Sequence, residues 1–350
     1  MIPKYMIRLV LLSGLLLIYD VCLAEDVYPL SDSRFVTEAD TFSFPLSFGS
    51  QVVISSAVSL TGELSLKADQ SEKVDFEYRK ILKTDDEGEA ANYAEQIEID
   101  IRESRDGIKI LLRAPNPSPW SGTDNSAGIE GHLLIPADCR IEIDSDFLDF
   151  RIEGPFQSIK NNTSFGRFDI AEIKGSISIS CVSGDIYLGD VAGEIIAGTK
   201  TGDIVIRNMV CTDDAAHLRN QSGDIDIRDL VGGVDIKNSY GRIRISNADL
   251  TGVPSEIEGL YSPIMVEVRS ISETGLGIRN AYEDVIVELP HDLSAVLSLS
   301  ASVDGEIHIE RLPVKPVGIE MGRMELICGE GDSRIDISIE GTGDIEIEGP

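Results

Sequence analysis

Basic charge is what this chain has least of. Lys and Arg together number 30 against 61 Asp and Glu, a formal net charge of −31. Phosphate backbones demand Lys/Arg patches, so nucleic acid is excluded as a partner, and polybasic attachment to anionic lipid goes with it. Aromatics make up only 6 %, with a single tryptophan, Trp120. Four histidines, His132, His217, His291 and His308, lie far apart and leave little for a His-rich metal site. The cysteines beyond the N-terminus, Cys139, Cys181, Cys211 and Cys328, contain no C-x-x-C pair, which argues against zinc or redox chemistry. Their wide, irregular spacing is unlike a disulfide framework, so burial as small apolar residues is expected, although three full pairings remain open. No G-x-S-x-G and no Ser-His-Asp arrangement stands out. With 42 % apolar residues and a mean hydropathy of +0.01, 350 residues still suffice for two or three ordinary domains, or one elongated one.

Long apolar runs are also missing, except at the start. Lys4 and Arg8 precede an apolar stretch to Tyr19, and Cys22-Leu23-Ala24 resembles a small-x-small cleavage site before Glu25-Asp26. That order predicts a secretory signal peptide over residues 1–24; the stretch is short for a bilayer span. Tyr19-Asp20-Val21 is a poor approach to a lipidated cysteine, which disfavours a lipoprotein at Cys22. After cleavage no transmembrane span remains, and the expected location is exported: periplasmic, cell-surface or secreted.

What is abundant is repetition. A unit of small residue, any, apolar, any, apolar begins at Gly166-Arg167-Phe168-Asp169-Ile170 and returns at Gly175, Gly184, Gly193 and Gly202, each nine residues on. It continues at Asp214, Gly223, Gly232, Gly241, Val253, Ser262, Thr274 and Glu283, with steps of nine or twelve only. Alternate copies follow polar or tyrosine-bearing turns, from Ser183-Gly184 and Thr201-Gly202 to Tyr261-Ser262 and Tyr282-Glu283. The copies between follow apolar tags such as Val191-Ala192-Gly193. The true period is therefore a pair of units, 18–21 residues.

Apolar-any-apolar is period two, so each unit is a short strand with one face inward. Glycine before it permits a sharp corner. Two strands and two corners per period predict an all-β fold, a parallel β-solenoid with Ile stacked on Ile. The rival is an antiparallel meander, which would not require two corner types to alternate. Residues 25–140 are expected to form a β-rich N-terminal cap, with strands at 74–82, 96–102 and 107–113 and a short helix within 87–95. The solenoid is assigned to 141–350, its last copies at Ile335 and Gly343 reading as further rungs beyond a Pro-bearing loop.

The run Ser183-Gly184-Asp185-Ile186, Thr201-Gly202-Asp203-Ile204, Ser222-Gly223-Asp224-Ile225 resembles a bacterial β-strand-repeat domain family of unknown function, usually labelled "putative adhesin". The likeness extends over roughly residues 45–350 and implies no catalytic residues. The later corners Tyr240-Gly241-Arg242, Tyr261-Ser262-Pro263 and Tyr282-Glu283-Asp284 depart from the Gly-Asp pattern.

Two columns follow from the period. Asp185, Asp203 and Asp224 share one position on successive coils; calcium is the one cofactor they suggest, but the Gly-Gly-x-Gly-x-Asp nonapeptide is absent, and capping of each turn by its own Asp is the simpler expectation. Arg242 and Arg244 should then lie beside Asp224 and Asp226. Tyr240, Tyr261 and Tyr282 should stack at one corner, either as packing or as an interaction strip. Asn161-Asn162-Thr163 and Asn220-Gln221-Ser222 match glycosylation sequons. The expected function is a non-enzymatic, adhesin-like or scaffold protein whose rigid surface meets a cell-envelope, glycan or protein partner. The alternative is a carbohydrate-active enzyme, a polysaccharide lyase or hydrolase, whose acids and bases would gather in one groove. A filament former would need an uncapped end.

Overall fold

The computed structural model describes residues 25–350 except Asp32, Val58, Glu273 and Val303, and in addition Leu11–Leu12 and Leu15–Leu16. Apart from those four leucines, the leader expected over residues 1–24 lies outside the described residues.

The repeat folds as a parallel β-solenoid. Each coil has two strands joined by corners, and each strand pairs with its equivalent one period away. On one face Ile186, Ile204, Ile225, Ile243 and Ile264 are successive partners, spaced 18, 21, 18 and 21 residues apart. All five are at most 1 % exposed. On the other face Ile177 pairs with Ile195, and Leu218 with Ile236 and then Ile257. The meander is thereby excluded: neighbouring coils run in the same sense. Strands form because apolar residues recur at every second position, and the coil closes because the two inward rows bury each other. Additional corner residues are absorbed between Cys211 and Ala216, where the register shifts without turning Ala216 or Leu218 outward.

Corner geometry explains the glycines. Gly223 has φ +140°, and a Cβ there would sit 2.1 Å from the carbonyl oxygen of Gly202 one coil earlier. At the glycine corners, from Gly184 to Gly241, the backbone rests directly on its predecessor, leaving no room for a side chain.

At both ends stacking order departs from chain order. Val52, in the strand Gln51–Ser56, lies between Ile108 and Ile141, so the coil 51–69 is inserted between 107–136 and 140–153. Near the other end Val285 pairs with Ile345, which pairs in turn with Ile307. The final coil, 333–348, thus slots between 275–288 and 295–310. Antiparallel strands complete the ends: Glu98–Ser104 and Lys73–Lys83 at the first, Arg323–Cys328 and Val314–Glu320 at the last. The helix Glu87–Glu95 is capped by Asp86, whose carboxylate accepts from Glu89 N at 2.8 Å. It packs near Lys80, a buried lysine whose Nζ donates to Glu25 Oε2 (2.6 Å) and Ala94 O (2.7 Å).

Candidate functional site

One corner gathers most of the chemistry. Phe165, Ser183, Thr201, Ser222, Tyr240 and Tyr261 are partners in sequence along it. Phe147 stacks on Phe165 at 4.8 Å, and the Tyr240, Tyr261 and Tyr282 rings stack at 5.3 and 4.7 Å with planes 10° apart. The strip is therefore aromatic at both ends and hydroxyl-bearing in the middle. Tyr240, Tyr261 and Tyr282 remain 50, 42 and 44 % exposed although their rings stack. Their rings cover one another's faces, so the strip offers ring edges and phenolic hydroxyls to the solvent rather than flat π surfaces. No partner within the described chain engages those hydroxyls.

The aspartates do something the sequence did not show. Asp185 Oδ1 accepts the backbone N–H of Asp203 (2.9 Å), Asp203 Oδ1 that of Asp224 (2.8 Å), and Asp224 Oδ1 that of Arg242 (2.8 Å). Each carboxylate caps the corner of the next coil, not its own, because the stacked backbone presents that N–H directly above it. The pattern extends past the motif: Asp284 accepts from Asp344 N, and Asp344 from Glu306 N, both at 2.8 Å, following the stacking order rather than the chain. Arg242 also pairs with Asp224 Oδ2 at 2.7 Å. Burial opposes ionisation of Asp224, but the Arg242 backbone N–H and guanidinium hold its carboxyl below the ordinary range. Arg244 lies in register with Asp226 but makes no ion pair with it; Asp226 faces Arg207 and Arg228, each at 3.6 Å. Among the described residues no three of His, Cys, Asp and Glu converge as metal ligands, and the column spends one oxygen of each carboxylate on an N–H.

Inside the same corner a buried polar column satisfies carbonyls. Thr199 Oγ1 donates to Gly184 O (3.2 Å), Asn220 Nδ2 to Gly202 O (2.9 Å), and Asn238 Nδ2 to Gly223 O (3.0 Å). Cys181 occupies the equivalent position, its thiol facing Ser164 O at 3.8 Å. Cys139, Cys181, Cys211 and Cys328 are free and buried, and burial pushes the Cys211 thiol up to about 11. The sequon residues Asn161 and Asn220 are also buried, at 3 and 6 % exposure, so the folded chain leaves no room for a glycan on either.

Sequence reasoning missed the opposite corner. Asp190, Asn208, Asp229 and Asn247 hold left-handed conformations, φ +54° to +59°, one per coil. Asx residues tolerate that region, and Asn208 Nδ2 donates to Asp190 Oδ1 at 2.8 Å. The readable signal was an Asx before each buried Val191, Met209, Leu230 and Ala248. His217 lies outward, as its place in the repeat implies, with Nδ1 3.0 Å from Asp235 Oδ2 and Arg219 on the same carboxylate. Burial works against the Asp235 charge, yet hydrogen bonds from Arg219 and His217 hold its carboxyl below the ordinary range.

Residues 132–256 match the family model described as Toastrack DUF4097, a stretch that contains all three Ser/Thr-Gly-Asp-Ile motifs. No curated protein matches the chain. Among solved structures it is similar to a "putative adhesin" of Parabacteroides distasonis at 10 % identity, covering 89 % of this chain and 97 % of that one, TM-score 0.41. A "putative lipid binding protein" of the same species overlaps at 11 % identity, 88 % and 96 % coverage, TM-score 0.33. A "putative cell adhesion protein" of Clostridium sporogenes overlaps at 9 % identity, 89 % and 100 % coverage, TM-score 0.21. Superpositions this loose carry no functional inference.

Proposed function

Given a Toastrack repeat in the middle of the chain, we propose an exported, non-enzymatic protein that works as a rigid scaffold and meets a cell-envelope partner, glycan or protein, along its tyrosine corner. The observation that carries this reading is the strip itself. Three half-exposed tyrosines, at the pitch of the coils and with no hydroxyl partner in the described chain, are presented by a backbone too tightly stacked to rearrange. Such a row is pre-organised, so a partner would bind without ordering it first. Aromatic hydroxyl side chains are also the type that dominates protein contact sites.

The enzyme alternative receives less support. Glycoside cleavage needs two carboxylates facing each other across a substrate. Glu256 and Asp336 stand instead in ion pairs with neighbouring guanidiniums, Arg279 at 3.2 Å and Arg334 at 2.8 Å.

The test is a pull-down from glycans and cell-envelope extracts with the chain starting at Glu25, with and without a calcium chelator. Retention of specific hits that Tyr261→Ala abolishes is the expected result. Indifference of every hit to Tyr261→Ala would retire the corner, and loss of every hit with chelator would return the aspartate column to consideration.

A further inference from the structure

A second feature stands apart from the corner and does not depend on it. Where the final coil slots between its neighbours, the outer surface of one face sinks into a cleft of about 650 Å³, within the range of small-molecule sites, about 300–1,000 Å³. Its depth has a local cause. Gly277 and Gly318 stand at outward positions of the lining strands and fill nothing above the sheet. The carboxylate of Glu256 lies across Gly277, where a Cβ would come within 2.6 Å of Oε2.

Part of the polar lining of this trough is unspent. Glu256 Oε2 is buried against Gly277 and ion-paired with Arg279 Nη1 at 3.2 Å, so the free groups lie further along the trough. Ser338 and Ser300 are adjacent partners, Ser298 neighbours Asp336, and none of the three hydroxyls is engaged by the described chain. Arg323, in register with Ser300 on one side and Glu320 on the other, has no ion pair. Donors and acceptors thus alternate across strands that are neighbours in space. Acids and bases nearly balance in the lining, and the molecule around it carries −31. An anion would be repelled, while a cation would find the guanidiniums in its way. A neutral polyol suffers neither penalty, because each of its hydroxyls both donates and accepts.

We infer that this cleft is a binding site for a neutral oligosaccharide. Its hydroxyls accept from Arg323 and exchange hydrogen bonds with the seryl row. No aromatic ring lines the cleft to stack on a sugar face, so recognition rests on hydrogen bonds.

The test is titration of the chain from Glu25, by isothermal calorimetry or by amide chemical shifts, with cellotetraose, mannotetraose, maltotetraose and chitotetraose, and with tetragalacturonate as the anionic probe. At least one neutral tetramer should bind, with little dependence on salt, and more tightly than tetragalacturonate. Ser300→Phe, which fills the trough from an outward position, should abolish that binding. Arg323→Ala should weaken it about tenfold, the loss of one hydrogen bond to a charged group. Tyr261→Ala should leave it unchanged, which separates this site from the corner. Failure of all four neutral tetramers to bind, stronger binding of tetragalacturonate, or binding that survives Ser300→Phe in a folded variant would each overturn the inference.

Discussion

Replacing Gly223 and Gly198 by alanine, one at a time, tests the stacking directly. Both are glycines of the same solenoid, on adjacent coils, and the chemical change is identical. At Gly223 the new Cβ would stand 2.1 Å from Gly202 O, and φ is +140°. Relief requires about 1 Å of movement, and it must come from the hydrogen bonds that join the coils, Gly223 N to Tyr240 O at 3.0 Å and Asp224 N to Asp203 Oδ1 at 2.8 Å. Conformational strain of about 1–3 kcal/mol and about 1 kcal/mol for each weakened bond give a destabilisation of about 3–5 kcal/mol. At Gly198 the nearest atoms to a new Cβ are Arg219 O at 3.4 Å and Arg219 Cβ at 3.7 Å, ordinary contacts, and φ is not positive. That variant should change stability by less than about 0.5 kcal/mol. Urea unfolding followed by far-ultraviolet circular dichroism reads both. Similar midpoints for the two variants, or Gly198→Ala the weaker, would refute close in-register stacking at the corner.

Asp224→Asn should lower the urea midpoint at neutral pH, since the native carboxyl titrates below its unfolded value. That contribution is present above the unfolded pKa and is lost as pH falls through the native one, so the two proteins should converge in acid. A gap that widens in acid would contradict the cap. Glu25→Gln should cost about 1–3 kcal/mol in thermal unfolding, because Lys80, 9 % exposed at its side chain, keeps only the Ala94 carbonyl as a strong acceptor. An unchanged melt would show the pair to be idle. In protein starting at Glu25, all four thiols should resist an aromatic disulfide reagent at pH 8 and react together once denaturant is added. Fewer than four titratable thiols in denaturant would reveal a disulfide.

The solenoid was legible because its period is strict. Once Ile186, Ile204 and Ile225 are aligned, the stacking of Tyr240, Tyr261 and Tyr282 follows from counting. The direction of each Asp was not legible, since a carboxylate column looks the same whether it caps its own corner or the next. That depends on where the stacked N–H points, a property of backbone geometry. The ends escaped for another reason. A repeat search assumes that neighbours in sequence are neighbours in space, and the step from Val285 to Ile345 spans 60 residues. The cleft is invisible for the same reason, because Gly277, Asp336 and Ser298 adjoin only after the last coil has been inserted.

Those insertions bear on whether such molecules polymerise. A head-to-tail filament needs an end whose two faces both accept parallel strands from the next copy. At the first end, the antiparallel strands Glu98–Ser104 and Lys73–Lys83 cover the outermost coil on its two faces. At the last, one face stops at Ile307–Glu310 while the other continues into an antiparallel hairpin whose outer strand, Val314–Glu320, contains Pro316. A parallel coil could match one face there only by mismatching the other, and proline removes a donor from the edge. Val317, Ile319 and Met321 are exposed along that hairpin, which makes it the most adhesive part of either end, yet its sense of pairing is wrong for extension by coils. Sedimentation should therefore return the mass of one chain across a wide concentration range. An open series of oligomers would mean that the hairpin moves aside, and a closed dimer that the apolar edge pairs with its own copy.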